Sequence, residues 1–139
     1  MSKNKAILDW LKTYEKFDNL FFNFSIGSNK NSVMIPAPND YLDYQDITGA
    51  KIRYYTFAVS HFKHFTNLPN NKENLDNMDE VQDFLDWIDT QNKNKNFPLF
   101  PYNCTIEYVK NLSNIPSVTK TNNNLARFYS QIQIKYIEK

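Results

Sequence analysis

The sequence predicts an α+β domain: a mixed or antiparallel sheet with two amphipathic helices packed on it. Three observations carry that expectation. The closing LARFYSQIQIKYIEK alternates, with Ala126, Phe128, Ile132, Ile134 and Tyr136 on one face, interrupted only by Ser130, and Arg127, Gln131, Gln133 and Lys135 on the other. Two further stretches repeat their apolar residues at helical spacing. Strand-like and helical segments do not alternate regularly, which argues against a doubly wound parallel sheet. At 139 residues with 41% hydrophobic and 16% aromatic content, the chain is expected to form one domain, 1–139, with a real core.

The elements follow in order. Ile7, Trp10, Leu11 and Tyr14 recur at i, i+3, i+4, i+7 with Lys5, Asp9, Lys12 and Lys16 outward, so a helix is expected over about residues 3 to 16. Leu20, Phe22, Phe24 and Ile26 alternate with Asn19, Asn23 and Ser25 up to Gly27, which predicts a strand whose polar face is broken by Phe21. SVMIPAP reads as a short strand stopped by Pro36 and Pro38, because proline lacks the ladder donor. NDYLDYQDITG reads as an irregular connection. From Lys51 to Phe62 both faces are apolar, Ile52, Tyr54 and Ala58 against Tyr55, Phe57 and Val59, as in a central strand covered on two sides. HFKHFTNLPNNKEN leads out through Pro69. Met78, Val81, Phe84, Leu85 and Ile88 then form one stripe, giving a second helix over about 75 to 92. NKNKNFPLFP is a loop, TIEYVKNLS a strand, and NIPSVTKTNNN a turn or exposed hairpin connection before the last strand.

Composition removes several functions. A net charge of +1 is not that of a wholesale nucleic-acid binder. The single Cys104 leaves no disulfide framework and no zinc-type Cys/His cluster, and fits a reducing compartment. Two glycines, Gly27 and Gly49, cannot build a multi-glycine phosphate loop. The opening MSKNKAILDWLKTYEKF has neither a signal-peptide core nor a membrane span, so a soluble, unsecreted protein is expected.

Candidate chemistry is sparse. His61 and His64 lie three apart where a strand would point them to opposite faces, so they read as ordinary strand-end histidines. Cys104 reads as a free, buried thiol with no partner base evident. Neither an enzyme, nor a metal, nor a cofactor is expected. The sharpest charge asymmetry is the run Glu73, Asp76, Asp79, Glu80, Asp83, Asp86 and Asp89, uninterrupted by Lys or Arg. Its ordinary reading is a solvated helix face. Its functional reading is a subunit interface or an acidic lumen, with Asp79, Asp83 and Asp86 on one side of the contact and Arg127 and Lys135 as the partner charges. Lys51, Arg53, Lys63, Lys110, Lys120, Arg127 and Lys135, interleaved with tyrosines, also suit single-stranded nucleic acid, although no RNP-like glycine/aromatic signature accompanies them.

Four segments together, ILDWLKTY, ITGAKIRYYTFAVS, VQDFLDWIDTQNKNKNFP and LARFYSQIQIKYIEK, resemble small minor capsid or tail proteins from the tail-assembly region of phages and prophages of Gram-positive bacteria. The most specific parts are Phe84, Trp87, Ile88, Gln91 and Asn92 at the helix end, and the strand from Ala126 to Gln133. The resemblance is to tail terminators. It implies an α+β subunit forming a ring, a hexamer, that caps the tail tube and joins it to the head connector or stopper, in the virion and, during assembly, in the host cytoplasm. DNA would meet it only in passage and a membrane not at all. Other connector, stopper or tube-like subunits are the alternative. Some relatives carry a chloramphenicol-resistance label, but that acetyltransferase chemistry needs H-x-x-x-D-G, and neither His61 nor His64 is followed by Asp-Gly. The glycine-rich last turn usual in these relatives is replaced here by NIPSVTKTNNN. Segments 37 to 49, 63 to 74 and 113 to 124 are expected to order on assembly.

Overall fold

The chain runs α1 (Lys3–Leu11), β1 (Asn19–Phe22), β2 (Asn31–Pro36), β3 (Tyr41–Gln45), β4 (Lys51–His64), α2 (Lys72–Lys93), β5 (Cys104–Asn111), β6 (Ser117–Lys120) and β7 (Leu125–Glu138). The structure is a computed structural model, and it describes residues 2–17, 19–23, 31–36, 41–45, 47–64, 72–113, 117–120 and 125–139. The α+β architecture expected from the sequence is present. Seven strands form one mixed sheet, with β1 and β2 parallel and every other pairing antiparallel.

The frame is the ladder between β4 and β7, which pair residue for residue from Lys51↔Glu138 to His64↔Leu125. Each has one outer edge left, and two shorter strands share it. On β4, β3 takes Lys51 to Tyr54 and β2 takes Phe57 to His61. On β7, β6 takes Ala126 to Tyr129 and β5 takes Ile132 to Glu138. Gly49, with φ of +90°, turns the chain from β3 into β4, a conformation that costs a glycine little.

Both helices cover the same face. Successive strand residues point to opposite sides, so Tyr55, Phe57, Val59 and His61 share a face with Phe128, Ser130, Ile132, Ile134 and Tyr136. Against it pack Ile7, Trp10 and Leu11 of α1 and Phe84, Leu85 and Ile88 of α2. The other face of the ribbon carries no helix among the described residues. Val33, Ala58 and Ser60 are nevertheless buried there, and Phe21, which registers opposite Val33, is 41% exposed on that side.

Four expectations change. The first helix stops at Leu11, not 16, because its last turn tightens: Thr13 and Tyr14 donate to Trp10 and Leu11 at 3.0 Å, and the Thr13 hydroxyl takes the Trp10 carbonyl at 2.6 Å. Tyr14 stays buried, so the stripe outlives the helix. The irregular connection NDYLDYQDITG contains β3, and NIPSVTKTNNN contains β6. The strand expected from Leu20 to Ile26 is β1 up to Phe22, while 24 to 27 lie outside the described residues. Of the segments expected to order on assembly, 41–45, 63–64, 72–74 and 117–120 belong to strands or α2, whereas 37–40, 46, 65–71, 114–116 and 121–124 lie outside the described residues.

α2 ends in a Schellman arrangement. Asn96 N–H donates to Gln91 O at 2.9 Å and Lys95 N–H to Asn92 O at 3.1 Å, with Lys95 at φ 55° where glycine is usual. A side chain in the left-handed region costs about 1 kcal/mol, so Lys95→Gly is expected to raise stability by about 0.5–1 kcal/mol. Denaturant melts of the two proteins check this, and a destabilised variant would mean the Lys95 side chain has a stabilising role that outweighs its strain.

Candidate interaction surfaces

The sheet face that carries no helix among the described residues is organised by the outward row of β7. Arg127 donates from Nε to Ser60 Oγ at 2.9 Å and lies 4.7 Å over the Tyr129 ring. Gln131 Nε2 donates to the Tyr129 hydroxyl at 3.1 Å, and the Tyr108 hydroxyl donates to Gln133 Oε1 at 3.4 Å. Lys135 pairs with Glu107 at 3.0 Å, and this hydrogen bond holds its ammonium above the ordinary lysine value against a smaller effect of desolvation. Tyr108 has Lys110 at 5.2 Å and Lys135 at 5.9 Å from its ring. The surface therefore alternates cations with tyrosine rings, an arrangement favoured because ring faces attract cations.

The acidic row lies on the opposite side of the molecule. Asp79, Asp83 and Asp86 follow i, i+4, i+7 spacing, which puts them on one stripe of α2 away from Val81, Phe84, Leu85 and Ile88. All three are exposed. Asp83 pairs with Lys16 at 3.4 Å, and Asp86 accepts from Gln82 Nε2 at 3.5 Å. Asp79 makes no ion pair among the described residues. Glu80 and Asp89 flank the stripe and reach back, Glu80 to Lys63 at 2.7 Å and Asp89 to Asn111 Nδ2 at 3.0 Å. Among the described residues, no acid of this row meets Arg127 or Lys135 within one subunit; the sheet and its helical layer separate them.

The residues at the end of α2 that carry the family resemblance are structural. Phe84 and Ile88 are fully buried, Trp87 packs 5.0 Å from Trp10, and Asn92 Oδ1 caps the Val109 N–H on β5 at 2.9 Å. Gln91 supplies the carbonyl that closes the helix.

A third feature escaped the sequence reading. His61 is not an ordinary strand-end residue but shares the inward parity of Phe57 and Val59, and it is only 5% exposed. Its Nδ1 lies 3.1 Å from Ser32 Oγ, while Nε2 is buried without a partner. Phe17 stacks on the ring at 5.6 Å and Phe84 meets it edge-on at 5.2 Å. Desolvation, reinforced by Lys63, pushes its pKa down to about 3, so it is neutral at pH 7. The ring lines a cavity of about 460 Å³ between the turn after α1, β2, β4 and α2. Tyr14, also on the lining, is pushed up to about 12 by burial and then by Asp83 and Glu80. The parity of F-x-V-x-H was the available signal. His64, three residues on, is exposed on the other face, as expected.

Cys104 is half-buried. Among the described residues no group of His, Cys, Asp and Glu is placed to hold a metal, and no helix is long and apolar enough to cross a membrane. Comparison with known proteins adds no family: no family model matches the chain, and no curated protein matches it.

The buried imidazole generates a pH prediction. Between about pH 6.5 and 3 the unfolded chain binds a proton at His61 that the folded chain does not, so stability falls as pH falls through that window. The loss attributable to this residue between pH 7 and 5 is about 2 kcal/mol, at ~1.4 kcal/mol per pH unit below the unfolded pKa. In His61→Gln that part of the acid slope should vanish. Equal slopes for both proteins in urea melts across pH would show that His61 does not control the acid limb.

Proposed function

We propose that the protein is a non-enzymatic structural subunit that closes into a ring, acting as a tail terminator at the head–tail junction of a virion. The observation that carries the reading is the placement of opposite charge on opposite sides: acids along the outer stripe of α2, cations among tyrosines on the sheet face away from the helices. A cyclic assembly needs a heterologous contact, in which one patch of each subunit meets a different patch of the next. Complementary fields on two such patches set register and suppress wrong contacts more than they add affinity. One patch lies on the sheet and the other on α2, which packs on the opposite face of the same sheet through Phe84, Leu85 and Ile88, so their separation is constant, which suits a ring that closes at a definite number. Its partners in this role are further copies of itself, the tail tube protein and the head-side connector or stopper, with DNA passing through the lumen. The resemblance of the α2 and β7 segments to tail-region proteins supplies the context.

A second reading has its own observation. Tyr108 and Tyr129, with Lys110, Lys135 and Arg127 on the same face, combine stacking rings with phosphate-binding cations. Single-stranded nucleic acid bound there would be released by salt.

Negative-stain imaging and native mass spectrometry separate the two. A ring is expected for the wild type. Joint reversal at Asp79, Asp83 and Asp86 to Lys should abolish it, and adding Arg127→Glu and Lys135→Glu to that variant should restore it, since the patches are complementary again. A folded triple variant that still forms the ring overturns the role of the acids. A monomer that binds oligonucleotides in a salt-sensitive way overturns the ring in favour of the second reading.

A further inference from the structure

The cavity at His61 has ring walls and a carboxylate mouth. Tyr14, Phe17 and Phe84 pack around one another at centroid distances of 5.1, 5.4 and 5.3 Å. Glu80 and Asp83 stand on the α2 side, and Glu15 on the other. Two lysines occupy the α2 carboxylates from within the chain, Lys63 on Glu80 and Lys16 on Asp83.

We propose that this cavity binds a small organic cation, an alkylammonium or guanidinium group, against the aromatic wall of Tyr14, Phe17 and Phe84, with Glu80 and Asp83 as counter-charge. Ring quadrupoles attract cations, most strongly where water is excluded. The negative field is felt by the Tyr14 hydroxyl, whose ionisation both acids oppose. A second, independent observation points to a ligand: the nine-tenths buried His61 has an unpartnered Nε2, which is a cost unless something completes it. In the tautomer that carries its proton on Nδ1 and donates it to Ser32 Oγ, Nε2 offers a lone pair, and an N–H of the cation is the matching donor. An anion would meet three carboxylates against two lysines, Lys16 and Lys63, a lining that is negative on balance, and an apolar ligand would leave Nε2 unpaired. Lys16 and Lys63 are internal competitors, displaced when the ligand enters. This proposal does not depend on ring formation.

The test is titration followed by tryptophan fluorescence and by amide shifts of Phe17 and His61; Trp87 reports because it lies 5.3 Å from Tyr14 and 6.1 Å from Phe84. Probes are propylammonium and methylguanidinium, with propanol and propionate as neutral and anionic counterparts. Saturable binding of the cations is expected, about ten-fold tighter than propanol, with none for propionate. Asp83→Asn should weaken the cations about five-fold, and Lys63→Met, which keeps the apolar stem, should strengthen them by freeing Glu80. Equal affinity for propanol, binding of propionate, or no gain in Lys63→Met would overturn the proposal. A lysine of a neighbouring copy carries the same chemistry. If it is the occupant, the shifts change on dilution of the protein alone and propylammonium competes with it.

Discussion

The rest of the molecule depends on the antiparallel ladder between β4 and β7. Because the two strands match along their full length, every main-chain group on their shared edge is satisfied and each contributes one long outer edge. An outer edge of that length is a hazard if left bare. Here each is occupied by two short strands placed end to end, β3 and β2 on one, β6 and β5 on the other. The longer of the new edges, on β5, is in turn tied to α2 by Asn92 and Asn111 side chains, which bond the Val109 N–H and the Leu85 carbonyl. Edge protection and helix placement are thus one problem with one solution.

The same ribbon divides the molecule into two unlike sides. Its inward row is aromatic and aliphatic and takes both helices. Its outward row, Arg127, Tyr129, Gln131, Gln133 and Lys135, is joined through side chains to its neighbours Ser60, Tyr108 and Glu107. These bonds restrict long side chains that would otherwise lose entropy on meeting a partner. A pre-ordered polar face is a better docking surface than a disordered one, whichever partner it meets.

Much of this was legible because it rests on periodicity. The two long strands and two helices bury one face against a common core, and burial writes alternation or a 3.6-residue repeat into the sequence. β3 and β6 left no such trace: each is short and adds to an edge, and in β6 Val118 is 48% exposed. The end of α1 was overrun because Tyr14 continues the apolar stripe through a tighter turn. The end of α2 is sharp, although Lys95 stands where a glycine would have marked it. His61 was set aside by its residue type, when its position two residues beyond Val59 placed it in the core. The acidic run of α2 was visible as charge, but which acids face inward follows only from the packed helix.

That division of the acids decides what charge can do here. Glu80 and Asp89 bind back to β4 and β5, so their charge is spent within the subunit. Asp79 and Asp86 have no ion pair among the described residues, and the Lys16–Asp83 pair is open to solvent, where such pairs contribute about 0–1 kcal/mol. Stability therefore does not require the outer stripe. The chain concentrates a strong local field on the side of the molecule where its own fold uses it least. The cavity draws on the inner edge of that field through Glu80 and Asp83, while a neighbouring subunit would draw on its outer edge through Asp79 and Asp86. Removing Asp79 and Asp86 alone leaves both cavity carboxylates in place, so the proposed assembly and the proposed cation binding can be tested apart on this one helix.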